Sequence, residues 1–311
     1  MRLRGWAGVA AVVLLWAGTG RAQTPPAAAP EAKPGVATDV AATDVSGWKL
    51  VWSSEFNGAA GTAPAAAKWS YERGNRNGWG NRELETYCAP AGSTTPCSPA
   101  KPNIEEDGQG HLVIRAVRAA DGSWTSGRMK TAGLYTVAYG RIEARMQLPL
   151  GAGLWPAFWM LGTNHAGWPA EGELDIMEHV PQLGPSTIQS SVHAADFHGG
   201  DSLHGKFTLP AGETIANGFH TYGVIWTPDQ IQYYVDSPAH VFVTITRPTP
   251  TSSWPFDQGA SDPFGILLNL AVGGNWPGPP DAATPGVATM LVDYVRVYQP
   301  AIPAAAAPPS R

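Results

Sequence analysis

Charge is scarce in this sequence. Asp, Glu, Lys and Arg make up 14% of the 311 residues, against about a quarter in an ordinary soluble domain. That excludes a coiled coil or a charge-rich disordered chain. The formal net charge is −5, which leaves a nucleic-acid partner no electrostatic footprint. Long apolar runs are lacking beyond the N-terminal segment, so no later stretch could cross a membrane as a helix. Internal repeats are absent, as is any capped pattern of three or four helical turns. Cysteine occurs twice, at Cys88 and Cys97, in a Pro/Ser/Thr-rich stretch. In an oxidising compartment the pair is expected to close a small surface loop as a disulfide, with two free thiols or a metal clip as the alternatives.

What is abundant is glycine, proline and tryptophan. There are 36 Gly, 29 Pro and 13 Trp. The first residues read as an export signal: a basic start at Arg2 and Arg4, an apolar run from Trp6 to Ala17, and small residues Gly20 and Ala22 before a cut at Gln23. Its removal takes Arg2, Arg4 and Arg21, leaving 17 basic against 25 acidic residues and a net −8. The expected product is exported, either secreted or periplasmic, with no membrane attachment once the signal is gone. Residues 23–46 and the tail 300–311 are Ala/Pro-rich linkers. One ordered domain over residues 47–299 is expected, and a monomer.

Within that span hydrophobicity alternates with period two. From Gly140 to Leu148 the even positions are Gly, Ile, Ala, Met and Leu, while Arg141, Glu143, Arg145 and Gln147 point the other way. This predicts a strand with one buried face. Further strands are predicted at 112–117, 221–226, 231–236, 241–246, 266–272 and 290–298, separated by turn clusters such as Thr227-Pro228-Asp229. Many short strands with Gly/Pro turns imply an all-β sandwich of two packed antiparallel sheets.

The most informative segment is Glu171-Gly172-Glu173-Leu174-Asp175-Ile176-Met177-Glu178. On a strand, Glu173 and Asp175 share a face while Leu174 and Ile176 enter the core. Glu178 lies five positions after Glu173, so a regular strand would bury it. A one-residue bulge at Ile176 or Met177 would restore its phase and bring the three acids together. Crowded carboxylates raise at least one pKa, as a general acid working near neutral pH requires. The alternatives from the residues alone are a solvated acidic edge or a calcium site. Trp155, Phe158, Trp159 and Trp168, with Trp79 and Trp276 in loops, suggest instead a cleft that stacks sugar rings.

The segment from Glu173 to Glu178 resembles the active-site signature of glycoside hydrolase family 16, in the bulged form of its laminarinase-like, agarase and carrageenase branches. Supporting blocks are Asn81-Arg82-Glu83-Leu84, Gly140-Arg141-Ile142-Glu143, Trp155-Pro156-Ala157-Phe158-Trp159-Met160, Asn269 to Gly278, and Val292 to Tyr298. The Trp-Pro-Ala-Phe-Trp-Met and Gly-Gly-Asn-Trp-Pro-Gly blocks look most like bacterial endo-1,3-β-glucanases. The resemblance implies a concanavalin-like jelly roll with an open cleft on its concave sheet. It also implies a retaining double displacement. Glu173 would be the nucleophile, Glu178 the acid/base, and Asp175 the residue between them that holds their pKa values apart.

By the same carry-over, Asn81, Arg82, Glu83, Trp155, Trp159, His193 and Trp276 would bind substrate. His198 and His204 read as exposed loop residues. No cofactor is expected for catalysis; a structural calcium would draw on Glu55 and Asp293, which are far apart in sequence. The expected activity is hydrolysis of laminarin-type β-1,3-glucan. The alternatives are mixed-linkage glucan, a galactan such as agarose or carrageenan, or transglycosylation. A non-catalytic β-glucan-binding module is the alternative of another class, and the three acids in phase argue against it.

Overall fold

The computed structural model describes residues 47–301; the expected signal, linker and most of the tail lie outside them. Two β-sheets pack face to face, and the connecting 3-10 turns are three residues long. This is the jelly-roll sandwich that the resemblance implies. One sheet has seven strands, in the order Leu203–Thr208, Thr187–His193, Glu173–Glu178, Leu154–Gly162, Phe264–Val272, Arg128–Lys130 and Ser70–Tyr71. The other has ten, centred on Gly140–Gln147 and on the long Val287–Pro300 strand. All ladders are antiparallel except that between Glu85–Tyr87 and Trp124–Ser126.

Period-two alternation builds the core. Leu154, Phe158 and Met160 from one strand, Leu174 and Ile176 from the next, and Leu268, Leu270 and Val272 from a third point into it. They meet Ile142, Ala144, Met146, Val224, Val292 and Val295 from the opposite sheet. Burial of such aliphatic side chains contributes roughly 1.5–3 kcal/mol each.

The Gly140 strand departs from the one-faced expectation. Arg141 and Glu143 are buried as well. The Arg141 guanidinium lies 3.9 Å from the Tyr298 ring centre, and Glu143 accepts a hydrogen bond from the Tyr234 hydroxyl. The outer face is therefore covered by aromatic side chains at this point, which alternation alone does not register.

Cys88 and Cys97 are joined by a disulfide with their Cα atoms 5.7 Å apart. Glu55 and Asp293, the two carboxylates expected at a structural calcium, are both paired with arginines. Glu55 commits both oxygens to Arg296, at 3.0 and 2.8 Å, and Asp293 Oδ2 receives Arg145 at 2.9 Å.

Candidate active site

Across the exposed face of the seven-stranded sheet runs a cleft of about 770 Å³. Alternation supplies its floor, since Trp155, Ala157, Trp159 and Leu161 face it from one strand and Gln189, Ser191 and His193 from another. Glu173, Asp175 and Glu178 all reach the same floor.

A β-bulge makes that possible. In the pairing with Leu154–Gly162, Asp175 lies opposite Trp159 and Met177 opposite Phe158, so Ile176 is the extra residue. Ile176 and Met177 both enter the core, and Glu178 returns to the cleft face opposite Ala157. The bulge leaves a carbonyl outside the ladder; the buried Ser190 hydroxyl donates to Ile176 O at 2.6 Å. Ser190 thus satisfies the irregularity that brings the three acids onto one face.

Asp175 sits at the centre of the polar network. Ser191 Oγ is 3.0 Å from Asp175 Oδ2 and 3.3 Å from Glu178 Oε2, while Trp155 Nε1 donates to Glu178 Oε1 at 3.0 Å. Ser191 has one proton to give. With that proton on Asp175, a protonated Glu178 can donate to Ser191 Oγ in turn. His193 Nε2 lies 3.0 Å from Asp175 Oδ2 and 3.9 Å from Glu173 Oε1. The Gly199 N–H donates to His193 Nδ1 at 3.1 Å, which places the imidazole proton on Nε2, facing the acids.

These contacts set the protonation of the cluster. Burial, then the Asp175 charge, pushes Glu173 well above the ordinary carboxylate range, with His193 pulling the other way. Glu178 is pushed up by the same two causes, and hydrogen bonds from Trp155 and Ser191 oppose them. Burial lowers the His193 pKa, but Asp175 and Glu173 outweigh it and the net direction is up. Glu173, Asp175 and His193 also form a group of the kind that can hold a metal; their engagement with one another accounts for it as an acid cluster.

Most of the expected binding residues line the cleft. Asn81 and Glu83 do, with Asn81 Nδ2 donating to Glu83 at 3.1 Å. Trp276 lies edge-on to Trp155 at 5.5 Å, and Trp159 Nε1 donates to Asn269 Oδ1 at 2.7 Å. Arg82 takes a left-handed φ of 60° in the same loop as Asn81, is exposed and stays outside the cleft lining. The cleft arginine is Arg128, whose guanidinium lies 4.7 Å from the Trp79 ring and 4.8 Å from that of Trp159. Its strand, Arg128–Lys130, is too short to show periodicity.

Trp168 lines the cleft beside His193. His198 is exposed in its loop, against Trp168. His204, expected in a loop, lies on the Leu203–Thr208 strand and edges the cleft. Ser191 was missed, although its position two before His193 places it on the same strand face.

Residues 94–296 match the family model described as Glycosyl hydrolases family 16. The chain is 37% identical to the β-glucanase of Rhodothermus marinus over 81% of its own length and 85% of that protein's. Its fold is similar to that of the laminarinase catalytic domain from Thermotoga maritima, with a TM-score of 0.70, 35% identity and coverage of 82% and 99% of the two chains. The endo-β-1,3-glucanase of Pyrococcus furiosus is similar at a TM-score of 0.69, 39% identity and coverage of 82% and 95%.

Proposed function

We propose, because the chain belongs to glycosyl hydrolases family 16, that this glycoside hydrolase is an exported endo-acting enzyme that cleaves β-1,3-glucan with retention of anomeric configuration. The observation that carries the chemistry is the arrangement of Glu173, Asp175 and Glu178 along one cleft floor with Asp175 bonded through Ser191 toward Glu178. A buried, raised carboxyl can protonate a leaving glycosidic oxygen near neutral pH. Glu178 takes that role. Glu173, facing the His193 Nε2–H side of the cluster, attacks the anomeric carbon and forms a glycosyl-enzyme ester as the C–O bond to the leaving sugar breaks. Glu178, now ionised, removes a proton from water, which attacks the anomeric carbon and releases Glu173.

Substrate class follows from the cleft. Trp155, Trp159, Trp276 and Trp79 offer indole faces to sugar rings, while Asn81, Glu83, Asn269 and Asn275 offer hydrogen bonds. The relatives named β-glucanase and endo-β-1,3-glucanase support a glucan over a galactan. Export is supported by the basic and apolar N-terminal sequence and by the Cys88–Cys97 disulfide. N-terminal sequencing of the protein recovered outside the cytoplasm should begin at Gln23.

The deciding experiment is product analysis on laminarin, lichenan and agarose, with wild type beside Glu178→Gln. Oligosaccharides released from laminarin, first appearing as the β-anomer by proton NMR and released at least about a hundredfold more slowly by the variant, are expected. First appearance of the α-anomer would overturn the retaining mechanism. Release from agarose but not laminarin would overturn the substrate, and binding of laminarin without release would point to a recognition module.

A further inference from the structure

Beside the catalytic acids lies a second pair of carboxyls, Glu83 and Glu85. Glu83 lines the cleft, whereas Glu85 is completely buried behind it on the Glu85–Tyr87 strand. The two carboxyls are two residues apart on the same segment, close enough for the Glu83 charge to act on Glu85 and for the pair to share a proton. A hydrogen bond between carboxyls requires a proton, because ionised carboxylates only accept. Their other partners decide where it sits. Glu83 accepts from Asn81 Nδ2 at 3.1 Å and from the Tyr87 hydroxyl at 3.0 Å. Glu85 Oε2 accepts the Val272 N–H at 2.8 Å, and its fully buried Oε1 accepts no hydrogen bond of ordinary geometry. An oxygen buried without a donor is satisfied by carrying the hydrogen itself.

Glu85 also stands where two cleft loops meet. Leu84 N–H donates to Val272 O at 2.8 Å, and Asn275 N–H to Asn81 O at 2.8 Å. Gly273 makes the close approach possible, since at its φ of 71° a Cβ would come within 2.6 Å of Leu84. Asn81 and Glu83 on one loop and Asn275 and Trp276 on the other all line the cleft.

We propose that Glu85 is a positioning residue: it is a protonated carboxyl that donates to Glu83, accepts from Val272, and thereby fixes both cleft loops with Glu83 set as a hydrogen-bond acceptor for a sugar hydroxyl. Three of the roughly four acceptor positions of Glu83 are filled by Asn81, Tyr87 and Glu85, which leaves one for substrate. The charged or titratable groups around Glu85 are Glu83 and Tyr87 on its own segment and Arg128, beside Tyr87, on the neighbouring sheet. Burial and the Glu83 charge both act to keep Glu85 protonated above the ordinary carboxylate range. Ionisation at higher pH breaks the Glu85–Glu83 bond and loosens the loops.

The sugar contact rests on the glucanase reading of the cleft; the proton does not. Infrared difference spectra of wild type against Glu85→Gln test it, together with KM and kcat on laminari-oligosaccharides across pH. The amide can accept from Val272 and donate to Glu83, so Glu85→Gln should keep the low-pH KM and kcat. It should also lose a protonated-carboxyl band present in the wild type at neutral pH, and abolish the rise in KM that the wild type shows on alkaline titration. Glu85→Ala should raise KM roughly tenfold with kcat within about twofold; if it does not fold, the Gln variant decides. Absence of the band, or an unchanged alkaline rise of KM in Glu85→Gln, would overturn the proposal. If the wild type cleaves no glucan while the band is present, the substrate reading fails and Glu85 remains the proton carrier.

Discussion

At the scale of single residues, the proposed chemistry depends on two carboxyls of the same type holding different protonation states. Both Glu173 and Glu178 are raised by burial and by Asp175. In the proposed double displacement Glu173 must be ionised to attack, and Glu178 must be protonated to release the leaving sugar. The expected kcat/KM profile is therefore bell-shaped, with both limbs above the ordinary carboxylate range and belonging to the coupled cluster. Glu178→Gln should lower kcat/KM on laminarin by roughly 10²–10⁴. Activity should return in part on a glycoside whose leaving group needs no proton; failure of that rescue would remove Glu178 from the acid role. Asp175→Asn withdraws a negative charge that raises Glu178, so its alkaline limb should move to lower pH. A limb that stayed in place would show that burial alone sets the Glu178 pKa.

At the scale of elements, the bulge is the feature that decides whether the site exists. It was legible because the spacing of Glu173, Asp175 and Glu178 conflicts with period two, and a single extra residue is the smallest repair. Its support by Ser190 was not legible, since a serine before a cleft serine carries no pattern of its own. Deleting Ile176 would return the strand to regular alternation with all three acids still facing the cleft. That variant should retain measurable hydrolysis, at a stability cost of roughly 2–5 kcal/mol for the lost core side chain. Deleting Ile176 and Met177 together should turn Glu178 into the core and abolish activity; equal activity in the two variants would refute the register argument.

Other elements were hidden for identifiable reasons. The Leu154–Gly162 strand is central yet contains Pro156, which argues against a central strand when met in sequence. Ser70–Tyr71 and Glu85–Tyr87 are two and three residues long and cannot display a period. The long alternating strands at 140–147 and 287–300 were readable because a full face of each meets the core. The Cys88–Cys97 link closes a short loop immediately after the strand that carries Glu85. Replacing both cysteines by serine should lower stability by roughly 2–3 kcal/mol in denaturant titration, as expected for a closed loop of this length. No measurable loss would mean that packing alone holds that segment.

At the scale of the molecule, charge distribution separates the remaining substrate classes. Removal of the expected signal leaves a net −8 by sequence, and the charged residues among these that line the cleft are Glu83, Glu173, Asp175 and Glu178 against Arg128. Arg128 is flanked by two indoles, which limits its reach toward a sulfate. A neutral glucan meets this surface without electrostatic cost, whereas a sulfated galactan brings repeated negative charge into an acidic trough. At a Debye length of about 10 Å in 0.1 M salt, such repulsion would be felt on approach and screened as salt rises. Rates on laminarin should therefore change by less than about twofold between low and 0.5 M salt, because neither binding nor approach involves a charged ligand. Carrageenan oligosaccharides should compete weakly, and least at low salt. Strong competition that weakens as salt rises would require a basic subsite and would reopen the galactan assignment.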